Sequence, residues 1–242
     1  MACFSTDSKH AICASSDGMI RGWEISTGNL LYVLEDHYSM TTCFKISENT
    51  LVIGFLDGLI QVWDLESRKI KMSYSAHKLK VTNISMNEEC SIIASGSRDS
   101  TIQIWNISGD EPVKKGVLIG HNRSVTSVCM SKCGNFIFSG SDDALVKVWS
   151  CKSFSCILNL IGHTKSVSSI CLSSCEKMVV SCALDGFIRL WERDSGRCIT
   201  KLCAQDDAIT CVTLSKDNKT IVSGSENGSV RVWDIVRHLK GT

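Results

Sequence analysis

Six tryptophans set the frame of this chain. Trp23, Trp63, Trp105, Trp149, Trp191 and Trp233 follow one another at intervals of 40, 42, 44, 42 and 42 residues in a sequence of 242. A near-constant stride of that size marks a supersecondary unit repeated along the chain. Each unit is too small to bury its apolar face alone and must stack on its neighbours.

The surroundings of each Trp repeat as well. In the unit that ends at Trp149, Gly120-His121 precedes an alternating run, Val125-Thr126-Ser127-Val128-Cys129-Met130. A turn at Lys132-Cys133-Gly134-Asn135 leads to the apolar run Phe136-Ile137-Phe138-Ser139-Gly140. The tight turn Asp142-Asp143-Ala144 then leads to Leu145-Val146-Lys147-Val148-Trp149, and a fourth run follows at Cys156-Ile157-Leu158-Asn159-Leu160. Runs of four to six residues with period two, bounded by Gly, Asp and Asn, read as strands. No segment sustains a 3.6 period, so the fold is expected to be all-β. Four short antiparallel strands per unit, packed face to face around an axis, make a β-propeller blade.

Several positions recur with the Trp. An acidic or amide residue stands six before it in every unit: Asp17, Asp57, Asp99, Asp143, Asp185 and Asn227. Ser stands ten before it at Ser95, Ser139, Ser181 and Ser223, and His 28 before it at His77, His121 and His163. On these residues the whole chain resembles the WD-repeat (Trp-Asp) propeller family. Asp follows the Trp only at Asp64 and Asp234, the other units having Glu, Asn or Ser. The expected fold is one propeller domain over residues 1–242, of six four-stranded blades with an incomplete last blade. The units span about 1–36, 37–76, 77–120, 121–162, 163–204 and 205–242.

His, Ser and Asp together also invite a hydrolase reading. A catalytic triad needs one nucleophile, one base and one orienting group at one cleft. Here the set occurs three complete times: His77, Ser95, Asp99, Trp105; His121, Ser139, Asp143, Trp149; and His163, Ser181, Asp185, Trp191. The resemblance implies structural hydrogen-bond chains from Asp through His and Ser to the indole, which allow polar groups to be buried without being orphaned. Ser139-Gly140-Ser141 and Ser223-Gly224-Ser225 fall at strand ends, not at the strand-to-helix turn of a nucleophile elbow. No catalytic residue, metal site or cofactor is expected.

Composition narrows the function classes. Twenty-six Lys plus Arg stand against 25 Asp plus Glu, a formal charge of +1, without the strongly basic face of a dedicated nucleic-acid binder. No run approaches the roughly 18 apolar residues of a membrane helix. Met-Ala-Cys-Phe-Ser-Thr-Asp does not read as a signal peptide. The 14 cysteines lie mostly in apolar strand-like runs, where a free thiol acts as a small buried hydrophobe. Cys129/Cys133 and Cys171/Cys175 occupy one repeated place in two units, which speaks for packing and not for zinc. A reducing, cytoplasmic or nuclear setting is expected.

The departures also carry information. The second unit has His37 and Asp57 but Ile53 in the Ser place; the last has Gln205 and Asn227; the first has Cys13 and no His. Weaker polar chains are expected there. Met1 falls inside the first expected strand, and nine residues follow Trp233. Two readings follow: a fragment or short isoform of a longer propeller protein, or a six-bladed ring with an imperfect last blade.

A rigid ring with loops on its faces is a display platform. The resemblance implies a partner-binding narrow face at Met40, Thr42 and Leu56; Lys80, Thr82 and Arg98; and Ser124, Thr126 and Asp142. It continues through Ser166, Ser168 and Leu184; Ala208, Thr210 and Glu226; and Ser16. The expected function is a non-catalytic scaffold for peptide or protein partners within a larger signalling or assembly protein. Small-molecule substrates, nucleic acid and membrane insertion are not expected. The alternatives are a subunit of a ribonucleoprotein-processing or chromatin complex and a ubiquitin-ligase substrate receptor. Against the last, no Arg stands three residues after any Trp, where Ser26, Glu66, Ser108, Lys152, Asp194 and Val236 occur. The Phe-Arg-Arg-Gly signature of phosphoinositide-binding propellers is also absent.

Overall fold

Alternating aliphatic and small polar residues put every second side chain on one face of a strand, and each unit does this four times. The computed structural model describes residues 2–5, 8–15, 19–34, 39–203, 207–235 and 237. The first blade comprises β1 (Ala2–Phe4), β2 (His10–Ala14), β3 (Ile20–Glu24) and β4 (Leu30–Leu34). The second comprises β5 (Thr41–Ser47), β6 (Thr50–Phe55), β7 (Leu59–Asp64) and β8 (Lys69–Ser75). The third comprises β9 (Val81–Met86), β10 (Ile92–Ser97), β11 (Ile102–Asn106) and β12 (Val113–Leu118). The fourth comprises β13 (Val125–Met130), β14 (Phe136–Ser141), β15 (Val146–Ser150) and β16 (Ser155–Leu160). The fifth comprises β17 (Val167–Leu172), β18 (Met178–Ala183), β19 (Phe187–Glu192) and β20 (Cys198–Cys203). The sixth has three described strands, β21 (Ile209–Leu214), β22 (Thr220–Ser225) and β23 (Val230–Asp234).

Every blade is an antiparallel meander, and the first strands pack in series, β5 on β9, β9 on β13, β13 on β17 and β17 on β21. The described residues therefore form a β-propeller of six blades, with three described strands in the last.

The core lies between blades. Phe138, Val146, Val148 and Leu160 of the fourth blade meet Val167, Ile170, Val179 and Trp191 of the fifth. The third meets the fourth in the same way, with Ile102, Ile104 and Leu118 against Val128, Ile137 and Trp149. Burying each such side chain contributes roughly 1.5–3 kcal/mol, so the blades hold one another rather than standing alone.

The turn between the second and third strands fixes the loop end nearest the site. Its third residue adopts a left-handed backbone, at Gly58 (φ 90°), Ser100 (68°), Ala144 (67°), Gly186 (80°) and Gly228 (82°). The residue before it accepts the N–H two positions on. Asp99 Oδ1 takes Thr101 N at 2.9 Å, Asp143 takes Leu145 N at 3.0 Å, and Asp185 takes Phe187 N at 3.1 Å. Short acceptors favour such turns because they hydrogen-bond their own backbone.

Candidate functional site

Each turn carboxylate has a second oxygen, and in three blades it holds a histidine. His77 Nδ1–H donates to Asp99 Oδ2 at 2.9 Å, His121 to Asp143 at 2.8 Å, and His163 to Asp185 at 2.9 Å. Ser95, Ser139 and Ser181 each donate Oγ–H to the facing Nε2, at 2.8, 2.7 and 2.8 Å. Trp149 Nε1–H then donates to Ser139 Oγ at 2.7 Å, and Trp191 to Ser181 at 2.8 Å. Burial pushes the Asp99, Asp143 and Asp185 carboxyls up, but the bonds they accept outweigh it and hold all three below the usual carboxylate range. Burial lowers the His121 imidazole, more than Asp143 raises it.

The third blade departs from the expected pattern. Trp105 Nε1 is buried with no partner among the described residues, so the chain His77, Ser95, Asp99 does not extend to Trp105. Tyr74 packs on that indole at 4.6 Å between ring centres, and the Lys114 ammonium stands 5.6 Å from it. In the second blade, where Ile53 replaces the serine, Trp63 donates to Gln61 Oε1 at 3.1 Å. In the sixth, Trp233 donates to Ser223 Oγ at 2.9 Å, and Asn227 donates to Asp207. Asp17, His37 and Gln205 lie outside the described residues.

The His and Ser side chains of these sets are buried, and the set recurs at one place in three successive blades. The candidate surface is the narrow face, where the two loops of each blade meet. Leu56 N donates to Met40 O at 3.0 Å, Arg98 N to Lys80 O at 3.0 Å, and Asp142 N to Ser124 O at 2.9 Å. Leu184 N donates to Ser166 O at 2.9 Å and Glu226 N to Ala208 O at 3.0 Å. Each pair of face positions is thus joined through the backbone in five blades. Ser16 lies outside the described residues.

Two hollows open on this face. One, of about 280 Å³, is lined by Ala14, Ser15, Met40, Thr41, Thr42, Leu56 and Lys80. Met40 and Leu56 are exposed, and Thr41 Oγ1 is buried there without a partner among the described residues. The other, of about 720 Å³, is polar: Asp142 and Ser166 line it with Arg123, Asp143 and Lys165. Ser166 donates to Asp142 Oδ1 at 2.5 Å across the blade junction. Arg98, Leu184 and Glu226 line neither hollow.

Four of the hydroxyls expected on this face also bridge to the next blade. Thr42, Thr82 and Thr126 each donate at 2.5 Å to the first carbonyl of the next blade, those of Val81, Val125 and Val167. Ser168 donates likewise to Ile209 O. These residues tie the blades together. Their recurrence at one strand position was the available signal, of the same kind as the His and Asp recurrence.

Comparison with known proteins agrees with this architecture. A family model described as "WD domain, G-beta repeat" matches residues 68–106, 112–150, 154–192 and 196–234, well over half of the chain. The chain is 31% identical over 126 residues to WD repeat-containing protein 18 of Danio rerio, which covers 41% of this chain and 28% of that protein. It is 31% identical over 104 residues to a WD repeat-containing protein 55 homolog of Dictyostelium discoideum, 43% of this chain and 25% of that protein. It is 25% identical over 120 residues to apoptotic protease-activating factor 1 of Rattus norvegicus, 49% of this chain and 9% of that protein. The matches thus span less than a third of the length of each of these relatives.

Proposed function

We infer that this chain, which belongs to the WD-repeat family, is a protein-interaction scaffold that takes a peptide or protein loop on its narrow face. Propellers of this kind are generally non-catalytic. The observation that carries the reading is the small hollow where Met40, Leu56, Thr42 and Lys80 meet from two adjacent blades. Apolar walls with one cation at the rim suit an apolar anchor side chain followed by a carboxylate. The polar hollow around Asp142 and Ser166 supplies a second, orienting contact. The matched relatives are much longer than the matched segment, which favours a module within a larger signalling or assembly protein. The thiols are free, which suits a reducing cytoplasmic or nuclear setting.

A displayed library of random peptides tests the site. Selection on the chain should enrich an apolar residue next to Asp or Glu. Lys80→Glu should abolish the acidic preference, and Leu56→Asp should weaken binding at least about tenfold, the 1.4 kcal/mol of a modest anchor. Lys165→Glu, on the other hollow, should leave the apolar preference intact. Enrichment unchanged by both Lys80→Glu and Leu56→Asp rejects this face.

A further inference from the structure

The first hairpin of the second blade is short. Four residues separate Ile46 from Leu51, whereas six separate Met86 from Ile93, Met130 from Ile137 and Leu172 from Val179 in the next three blades. The longer turns reach one another across the blade junctions. Glu88 N donates to Lys132 O at 2.9 Å, Lys132 N to Glu176 Oε1 at 2.5 Å, and Ser174 N to Asn218 Oδ1 at 2.8 Å. The short turn meets the third blade through a weak thiol bond, Cys90 Sγ to Ser47 O at 3.8 Å. Two hollows flank it, on the face opposite Met40 and Leu56. The larger, of about 570 Å³, lies between the first and second blades. Ile12, Leu31, Tyr32, Ile46 and Leu65 give it apolar walls, and Glu48, Glu66 and Arg68 stand at its rim. The smaller, of about 320 Å³, lies between the second and third blades and is lined by Asp64, Lys71 and Glu89 among others. Glu48 and Asn49 line both hollows, so the short turn is a low ridge between them. Asp64 holds that ridge in place: its Oδ1 accepts Asn49 Nδ2 at 3.1 Å and the N–H groups of Glu66 and Ser67 at 2.9 Å each.

Arg68 shows why the larger hollow stays open. It holds the left-handed position of the turn between β7 and β8 (φ 56°), which Gly28 and Gly196 fill in the first and fifth blades. A bulky residue in that conformation is strained, and such positions gather where a protein does something besides fold. The fourth blade has Phe154 there (φ 51°), whose ring packs onto Gly116 of the blade before, so closely that a Cβ on Gly116 would stand 2.4 Å from it. That ring plugs its junction. The Arg68 guanidinium instead stands 5.7 Å from the centre of the Tyr32 ring, and Leu31 is left exposed. The charges around the two hollows are unequal. Glu48, Asp64, Glu66 and Glu89 stand beside Arg68 and Lys71, and none of the four carboxylates is in an ion pair with a described residue.

We propose that these hollows bind a basic segment of a partner protein. An apolar side chain seats between Leu31, Tyr32, Ile46 and Leu65, and a Lys or Arg beside it lies over the Glu48 ridge toward Asp64 and Glu89. Apolar walls supply the anchor, and unpaired carboxylates along the path select the charge. Both hollows lie between described blades, so the site needs no further blade to complete it. It lies on the face opposite the Lys80 hollow and selects the opposite charge, so it stands independently of the narrow-face reading.

A displayed library of random peptides, selected on the full chain carrying Lys80→Glu and Leu56→Asp, tests this. Those two substitutions disable the narrow-face hollow, so the outcome is separate from that of the selection proposed there. The library should enrich an apolar residue within two positions of Lys or Arg. Glu48→Lys with Glu89→Lys should weaken the enriched peptide at least about tenfold, and Leu31→Asp should do the same. All three side chains are exposed, so melting temperatures should stay close to that of the parent. Inserting Ser-Gly between Glu48 and Asn49 gives the turn the length of its neighbours and should abolish binding. Enrichment of acidic peptides, no enrichment, or enrichment untouched by Glu48→Lys with Glu89→Lys overturns the proposal. A photo-crosslinking residue in place of Leu31 in cells supplies a second reading. Capture of a different polypeptide through a segment with an apolar residue beside Lys or Arg supports the proposal, and capture of this chain's own polypeptide, or of a segment without that pattern, overturns it.

Discussion

Gln61 Oε1 accepts the Trp63 indole N–H at 3.1 Å, two residues along the same strand. The third blade places Gln103 and Trp105 in the same relation, yet Gln103 Oε1 and Trp105 Nε1 are both buried without partners among the described residues. Removing one member of a made bond leaves a buried group unsatisfied, at about 1–3 kcal/mol, whereas removing a group that makes no bond does not. Gln61→Ala should therefore lower stability by about 1–3 kcal/mol and Gln103→Leu by less than about 1. Urea unfolding of the two variants checks this, and equal losses would mean that the second blade does not depend on the substitute acceptor.

The serine at the centre of the chain gives a second contrast. Ser139 serves two groups, donating to His121 and accepting from Trp149, while Ser95 serves only His77 on this path. Ser139→Ala should orphan both partners and cost about 2–4 kcal/mol, and Ser95→Ala about half as much. The same denaturant series measures both. A Ser95→Ala loss as large as that of Ser139→Ala would show that Trp105 does use the serine in solution.

The framework was legible because its determinants are local and repeated. Trp stride, turn acids and alternating runs fix the strands and their faces, and the His–Asp and His–Ser pairs follow at constant offset. Trp105 was not legible. Its indole contacts Tyr74 and Lys114, which lie on β8 and β12 and follow no repeat rule. The inter-blade bonds of Thr42, Thr82, Thr126 and Ser168 were not legible, because position along a strand does not say which neighbour a hydroxyl reaches. Their partners lie about 40 residues away, across a junction that only the packed fold creates. The gathering of Met40, Leu56 and Lys80 into one hollow likewise depends on two blades meeting.

Acid should unfold the propeller in two stages. His121 has its folded pKa lowered by burial, so below about 6.5 the unfolded chain takes up a proton that the folded one resists, and stability falls with pH. Asp143 and Asp185 have lowered folded values, so the stability they contribute is present above about 4 and is lost as pH falls below it. Melting temperatures between pH 8 and 3 should show a first decline that His121→Asn diminishes and a second that it does not. A first decline unaffected by that variant would assign it elsewhere.

The cysteines should separate by reactivity. Ser131 and a backbone N–H stabilise the Cys133 thiolate, and Ser173 and a backbone N–H that of Cys175, so both exposed thiols titrate below their ordinary value. Burial pushes Cys43 and Cys182 up to about 12. Thiolate is the nucleophile, so brief iodoacetamide treatment at neutral pH should label Cys133 and Cys175 first and spare Cys43 and Cys182 until urea is added. Peptide mass spectrometry reads the order. Early labelling of Cys43 would mean that the junction of the second and third blades opens readily.

Ala144 and Ser100 occupy the left-handed turn position that Gly58, Gly186 and Gly228 fill in other blades, with φ of 67° and 68°. A Cβ there meets the following carbonyl, at roughly 1–2 kcal/mol, and glycine removes that clash while adding freedom to the unfolded chain. Ala144→Gly should thus gain about 0.5–1 kcal/mol net, and Ser100→Gly a similar amount. The reverse change is worse than the sum suggests. A Cβ at Gly186 would stand 3.2 Å from Asp207 O, and one at Gly58 would collide with the His77 carbonyl. Gly58→Ala should therefore cost more than Gly186→Ala, because it also displaces the histidine that anchors to Asp99. Melting curves of the four variants rank these effects, and a destabilised Ala144→Gly protein would refute the strain reading of the turn.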